Sequence, residues 1–444
     1  MEQLRNAWEK INTGFWFLPS ISVALSVGLS FILLSIDSIY VSRMGLSVAG
    51  LFGGTADAAR VLLSTIAGSL ITVISIAFSI TIVALQQAST QYSPRVLRSF
   101  TKDKGNQAVL GTYLGTFIYA LLILRSVRAA DSAAAEFVPA LSITVGLALT
   151  LACMGLLIYF ISHIASSLQI ENIIKRIHED LVGQIEDLYP DKLGAAADVE
   201  TSGEELFEQL KGFHETLVVK TPKSGFVRAI DSRPLEGFAD QAIPTVFVRA
   251  AVGDFVVFGE TVAEISVGRE SARARADDLA DAIIIDHERS VNQDALFEIG
   301  QLVDIALRAL SPSVNDPTTA EYCLFRLTDA LCQLASREFP SNKRTFDSGP
   351  TVFIFNRPGW PEFVDVAYSQ IRRAAADDVH VTGVLVRQLA KLMRYAPDGN
   401  RVEAITRQLI EIREILGRQV FSKRETATLR SHIDAALQIR YSAR

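Results

Sequence analysis

Four long apolar runs dominate the first third of the chain. They extend over residues Phe15–Ile36, Val61–Leu85, Gly105–Leu124 and Phe137–Ser162, and none of them contains Asp, Glu, Lys or Arg. About 20 helical residues are enough to cross the ~30 Å hydrocarbon core of a bilayer. Because four uncharged runs of this length follow one another, they predict membrane-spanning helices rather than helices buried in a soluble core.

The pattern changes after residue 164. Residues 163–190 place apolar side chains at helical spacing among charged ones, which predicts an amphipathic helix that continues the fourth span. Residues 191–203 are typical of a linker, and a short helix is expected over 204–211. Between residues 215 and 268 apolar and polar residues alternate, and many residues are β-branched or aromatic, which predicts strands. A helix is expected to interrupt these strands over residues 234–242.

A further strand is predicted over residues 282–288 and another over 351–356, with helical periodicity elsewhere after residue 293. The last four helices are expected over residues 361–376, 379–395, 399–417 and 422–441. The predicted fold class is therefore membrane α followed by cytoplasmic α/β. Its parts are a four-helix transmembrane domain (1–164), a connecting helix and linker (165–212), a β-rich module (213–290) and a mainly helical C-terminal domain (291–444).

The β-rich module contains the segment VGDFVVFGETVAEI, in which Gly253-Asp254 opens a strand and Gly259 stands where a hairpin would turn. This segment resembles the GDxVxxGxxL hairpin of biotinyl and lipoyl modules, and SGFVRAI (224–230) resembles the opposing half. The resemblance implies a small barrel-sandwich-like shape. No lysine occupies the hairpin tip, so no prosthetic group is expected there.

Charge distribution supports a membrane part followed by a soluble part. Residues 1–164 hold 10 basic and 7 acidic side chains, whereas residues 165–444 hold 33 and 42. The absence of a basic stripe argues against nucleic-acid binding. Eight Lys and Arg residues flank the span ends on the side of the N-terminus, and four flank the ends on the other side. Because positive charge is enriched in cytoplasmic loops, this difference predicts that both termini are cytoplasmic. Three unpaired cysteines and six scattered histidines indicate neither a disulfide framework nor a metal site.

The second run carries a stripe of small and hydroxyl residues. At spacings of three and four these residues share one helical face, and Gln86 follows on the same face beyond an apolar gap. The candidate pore-lining residues are Thr65, Gly68, Thr72, Ser75, Ser79 and Gln86.

Two interpretations of this stripe remain open. Small faces let helices pack closely in lipid, and hydroxyls can bond across helices. The same face could line a water-filled path in a symmetric oligomer, with Ile82 and Val83 as a dewetting gate. The third run contains Gly111 and Gly115 as GxxxG, a pattern that favours close helix packing.

One motif in the C-terminal domain has a complete structural interpretation. In the segment SPSVNDPTT, Pro312 is expected to end one helix and Pro317 to begin the next, with Asp316 as its N-cap and Asn315 in the joint. Asp286, His287 and Glu288 form a possible acid–base cluster, but a strand end explains them equally well. The chain contains no recognised nucleophile, phosphate-loop or metal-ligand motif, so neither enzymatic activity nor a cofactor is predicted.

Taken together, the order of these features is recognisable. The chain resembles the bacterial integral membrane proteins grouped as the domain of unknown function 2254 family, chiefly through the second run with its flank (STIAGSLITVISIAFSITIVALQQASTQYSPRVLRSF) and the segment ALSPSVNDPTTA. The resemblance implies a multi-pass protein of the bacterial inner membrane. The two functions that remain open are a homo-oligomeric channel for small ions and a membrane-anchored sensor or scaffold without a pore. Both have the lipid bilayer as a partner.

Overall fold

The computed structural model describes residues 16–43, 52–91, 103–129, 136–189, 215–231, 235, 245–267, 276–289, 294–340, 342–345, 352–397, 399–418 and 421–442. The chain forms two compact units, residues 1–173 and 174–444, and each is described by itself. The helices expected over 204–211 and 234–242 lie outside the described residues, apart from Leu235.

Within its described residues, the first unit contains four helices that are long and apolar enough to cross a membrane, as the sequence predicts. They are α1 (Phe17–Arg43), α2 (Ala56–Gln91), α3 (Lys104–Ser126) and α4 (Ala140–Ser167). With 36 residues, α2 is about 54 Å long and exceeds the hydrocarbon core.

Helix α3 lies at the centre of this unit. In its most apolar 18-residue stretch 56% of the residues are buried, against 11% to 28% in the other three helices. The GxxxG pattern explains its contact with α1, because a Cβ atom on Gly111 would lie 2.8 Å from Ser22 Oγ and one on Gly115 would lie 2.5 Å from Ser26 Oγ. The two glycines therefore serve close packing within one chain.

A buried carboxylate joins α1 to α4. The first apolar run ends at Ile36, but the helix continues to Arg43, so Asp37 lies inside α1 with only 5% of its surface exposed. Its Oδ1 accepts a hydrogen bond from the backbone N–H of Leu141 (3.1 Å). Its Oδ2 accepts from the N–H (2.9 Å) and the hydroxyl (2.6 Å) of Ser142. Asp37 thus satisfies free N–H groups in the first turn of α4, where the helix dipole also favours a negative charge.

The opposite end of the unit has its own carboxylate. Asp103 caps α3 by accepting from the N–H of Gly105 (2.8 Å) and of Asn106 (3.3 Å). Its second oxygen lies 2.8 Å from Nε2 of His163 on α4, and the His163 ring stacks on Tyr159. Each end of the bundle is therefore fixed by an aspartate that joins two helices.

The prediction of one continuous helix from the fourth span to residue 190 is wrong. Helix α4 ends at Ser167 and α5 (Ile170–Leu188) begins three residues later. The side-chain amide of Asn172 donates to the carbonyl of Ser166 (2.8 Å), and the backbone N–H of Asn172 bonds to the carbonyl of Gln169. These bonds satisfy groups that a helix break would otherwise leave free.

The second unit contains eight described strands. In chain order they are β1 (Glu215–Lys220), β2 (Gly225–Ile230), β3 (Thr245–Val248), β4 (Phe255–Val256), β5 (Thr261–Val267), β6 (Ile283–Asp286), β7 (Lys343–Thr345) and β8 (Val352–Phe355), with helix α6 (Ala276–Ala282) before β6. One sheet has the order β1-β5-β3-β8-β7 and the other β4-β2-β6. Valine, isoleucine and phenylalanine side chains from both sheets form one buried core.

The barrel-sandwich shape expected from the glycine-containing hairpin is not confirmed, since the described strands form no closed barrel. Strands β4 and β5, which flank the turn, belong to different sheets, because β4 pairs with β2 whereas β5 pairs with β1 and β3. Strand β8 runs parallel to β3, so the sheet takes strands from both of the predicted cytoplasmic domains.

The turn itself follows the sequence prediction. Gly259 has φ +79°, a backbone conformation that costs a residue with a Cβ atom about 1–2 kcal/mol. We therefore expect Gly259→Val to lower the free energy of unfolding by about that amount, measured by thermal denaturation of the purified chain. Gly417→Val is the control, since Gly417 has open space and no positive φ. Equal destabilisation by the two variants would contradict this account.

The remaining helices of the second unit pack against one another. They are α7 (Ala295–Ala309), α8 (Pro317–Ala335), α9 (Trp360–Ala374), α10 (Val379–Tyr395), α11 (Gly399–Ile415) and α12 (Lys423–Ser442). The bounds of the four predicted C-terminal helices agree with those of α9 to α12 within about two residues at every end. Many leucine, isoleucine and aromatic side chains of these helices are buried, among them Leu324, Leu389 and Tyr368.

Candidate functional site

Helix α2 has one face buried within its own unit. The buried side chains recur at helical spacing and pack beside α3. They are Ala56, Ala59, Leu63, Ile66, Ala67, Leu70, Ala77, Thr81 and Ala84. The first turn is held by two polar contacts, from the N–H of Ala56 to Glu136 Oε1 (3.2 Å) and from the N–H of Ala58 to Thr55 Oγ1 (3.4 Å). The packing of the buried face determines which side of α2 faces outward.

The predicted stripe lies on the opposite, outward side of α2. Thr65, Gly68, Thr72, Ser75 and Ser79 are all exposed on the surface of the unit. A Cβ atom added to Gly68 would meet nothing within 4 Å. The stripe is therefore not a packing surface within one chain, and its pore-lining role stays a prediction.

The hydroxyl groups of the stripe bond to their own helix. Thr65, Thr72, Ser75 and Ser79 each donate to the carbonyl four residues earlier, over 2.7 to 3.0 Å. A hydroxyl has one hydrogen and two acceptor lone pairs, so these oxygens keep acceptor capacity on the outer surface. The face is consequently rich in oxygen acceptors and poor in available donors.

The three remaining candidates of this helix are also exposed. Ile82 and Val83 expose about half of their surface, and Gln86 is exposed one turn further along. The order of hydroxyl face, apolar pair and amide predicted for α2 thus lies on the outside of the unit. The gating role of Ile82 and Val83 remains a prediction.

Asp57 was missed when the face was defined from the sequence. It lies in the first turn of α2, its side chain is 87% exposed, and Arg60 Nη1 is 3.4 Å from its Oδ1. Counting back from Gly68 by four, three and four residues reaches Asp57, so it shares the stripe's face. The uncharged run begins only at Val61, and the start of α2 at Ala56, five residues earlier, is what places Asp57 on the helix.

The C-terminal joint is arranged as the sequence predicts. Asp316 caps α8 by accepting from the N–H (3.1 Å) and the hydroxyl (2.6 Å) of Thr319, and Pro317 is the first residue of the helix. Asn315 adopts φ +48°, which asparagine tolerates better than most residues. Pro312 follows α7 in the exposed connection. These four residues shape the connection between two helices.

The possible acid–base cluster at the end of β6 has a structural explanation. Asp286 Oδ2 lies 3.3 Å from Arg228 Nη1, and Asp286 Oδ1 accepts from the backbone N–H of His287 (2.8 Å). The three cysteines are free and buried, and burial raises the pKa of the Cys332 thiol to about 11. Such a thiol reacts slowly near neutral pH.

Comparisons with known proteins agree with the four apolar helices. A family model described as "Predicted membrane protein (DUF2254)" matches residues 12–391. An uncharacterized protein of Mycobacterium tuberculosis and one of Mycobacterium bovis are each 31% identical over 398 residues, which is 89% of this chain and 74% of the relative. No solved structure matches the chain significantly. The chain therefore belongs to the DUF2254 family of predicted membrane proteins.

Proposed function

We propose that this membrane protein forms a homo-oligomer in which the α2 helices surround a path for small ions. The observation that carries the proposal is the exposed hydroxyl face of α2, which lies opposite the face buried against α3. Lipid tails cannot form hydrogen bonds with the oxygen atoms of this face. Neighbouring copies could approach closely along small residues, and water between them would solvate the oxygens.

The chemistry of this face favours cations. The hydroxyl hydrogens of Thr65, Thr72, Ser75 and Ser79 are used within the helix, so the outer lone pairs would coordinate a cation rather than an anion. In a symmetric assembly Asp57 would form a ring of carboxylates at one mouth of the path, an arrangement typical of cation channels. Ile82 and Val83 would form the apolar constriction.

Reconstituted vesicles test the proposal directly. We expect the purified chain to carry K⁺ in preference to Cl⁻ and Asp57→Asn to reduce that preference, because the variant removes the charge at the mouth while keeping its shape. The measurement is the reversal potential in a salt gradient. If membrane tension, voltage and pH steps all fail to produce flux, the anchored sensor or scaffold becomes the better proposal.

The proposed orientation places both termini in the cytoplasm. We expect Gly53→Cys to react with an impermeant maleimide in intact cells and Ser431→Cys to react only after the membrane is opened. A side chain at residue 53 meets nothing within 4 Å, and Ser431 is exposed on α12. The three natural cysteines are buried and give little background. Reaction of Ser431→Cys in intact cells would show that the C-terminus lies outside and would contradict the proposed orientation.

A further inference from the structure

Two connections of the β-rich module, residues 221–224 and 257–260, meet to form one tip. The N–H of Gly259 donates to the carbonyl of Thr221 (3.0 Å), and the N–H of Thr221 donates to the carbonyl of Glu260 (2.9 Å). The N–H of Phe258 also donates to Ser224 Oγ (2.8 Å). These bonds make the tip an ordered structure rather than a loose loop.

The tip presents apolar side chains to the outside. Phe258 is 75% exposed, and Phe255 and Val257 are each more than half exposed. The Phe255 ring rests on Phe226 with 5.0 Å between ring centroids, so the aromatic surface extends from the tip onto β2 and β4. Three large exposed apolar side chains within four consecutive residues are typical of a surface that contacts another apolar phase.

The lysine side chains beside this surface suit an anionic phase. Lys220 and Lys223 are exposed, and neither forms an ion pair within the part of the chain that the structure describes. The two nearby carboxylates are held by backbone groups, since Glu260 accepts from the N–H of Val257 and Asp254 accepts from the N–H of Ala251, both over 2.8 Å. Both carboxylates keep their charge, but these bonds hold them at their own turns. The long side chains of Lys220 and Lys223 are not held in this way and can reach an anionic headgroup.

We propose that the tip inserts Phe258 and its neighbours into the anionic surface of the bilayer that the chain spans. Aromatic side chains beside lysines suit the boundary between headgroups and acyl chains, where apolar burial and attraction to anionic lipid add together. The four membrane helices keep the bilayer within reach, so even weak insertion is favoured by a high effective concentration. This contact does not depend on ion conduction.

Fluorescence quenching in nanodiscs tests the contact with the full-length protein. Phe258→Cys is labelled with an environment-sensitive dye, and the discs contain phosphatidylglycerol with or without doxyl-labelled lipid. We expect several-fold stronger quenching at residue 258 than at the control Val314→Cys, an exposed apolar position in the α7–α8 connection. The combined change Lys220→Gln with Lys223→Gln should reduce quenching, as should replacing phosphatidylglycerol by phosphatidylcholine.

A second labelled position controls for the possibility that the dye at residue 258 alters the tip. Phe255→Cys lies on the same surface and should be quenched in the same way if the tip touches lipid. Quenching at residues 258 and 255 no greater than at residue 314 overturns the proposal. A blue-shifted dye that lipid quenchers do not reach also overturns it, because the tip would then be covered by protein, such as a second copy of the chain.

Discussion

Asp37→Ala is expected to destabilise the membrane unit by about 2–4 kcal/mol, because it leaves two backbone N–H groups and one hydroxyl of α4 buried without their acceptor. Hydrogen bonds to a charged group are worth more than neutral ones, and water cannot replace them in a lipid-surrounded bundle. The measurement is the thermal denaturation midpoint of the purified protein in detergent. Asp37→Asn should lose less, because its amide oxygen can still accept one or two of the three bonds.

Asp57→Ala is the matched control for this experiment. Asp57 is an aspartate in the next membrane helix along the chain, but its side chain is exposed and its ion pair with Arg60 is a surface one. Such pairs contribute about 0–1 kcal/mol. If Asp37→Ala and Asp57→Ala shift the midpoint equally, the contact between Asp37 and α4 does not stabilise the unit.

The membrane part of the fold could be predicted because its signal is local. Uncharged runs of about 20 residues leave few alternatives, and the GxxxG pattern already indicated the close approach later found between α3 and α1. The role of Asp37 could not be predicted. It depends on a contact with Ser142, 105 positions away, and no spacing within α1 reports it.

The second unit shows the same limit more clearly. Period-two stretches identified most strands, but alternation does not say which strands pair. The parallel pairing of β3 with β8 crosses about 100 residues, and the separation of β4 from β5 into two sheets depends on β2. The hairpin resemblance correctly predicted a turn at Gly259 and missed the sheets on either side of it.

For the candidate site, spacing predicted which residues share a face but not which way the face points. That direction is set by the opposite side of α2, where leucine and alanine side chains pack against α3. The structure therefore adds the outward position of the stripe, the inward hydrogen bonds of its hydroxyls and the presence of Asp57 on the same face. Each of these depends on helix packing or helix length that the sequence pattern did not fix.

The largest functional effect is expected at the middle of the α2 face. Ser75→Leu should lower K⁺ flux in vesicles at least about ten-fold, because every copy would project a bulky apolar side chain into the proposed path. Val83→Ser should act in the opposite direction and raise the resting flux, since a hydroxyl makes the apolar constriction easier to wet. Both residues are exposed on the described unit, so neither change disturbs its buried core.

Ser35→Leu supplies the matched control for the blocking variant. Ser35 is exposed on α1 and donates to the carbonyl of Phe31 (2.8 Å), as Ser75 donates to that of Ile71 (2.9 Å). The two variants therefore make the same substitution at the same kind of helical hydroxyl, and only one of them lies on the α2 face. Cross-linking of the reconstituted protein should show unchanged assembly for both. If Ser75→Leu dissociates the oligomer, or if Ser35→Leu lowers flux as strongly, the α2 face serves helix packing and does not line an ion path.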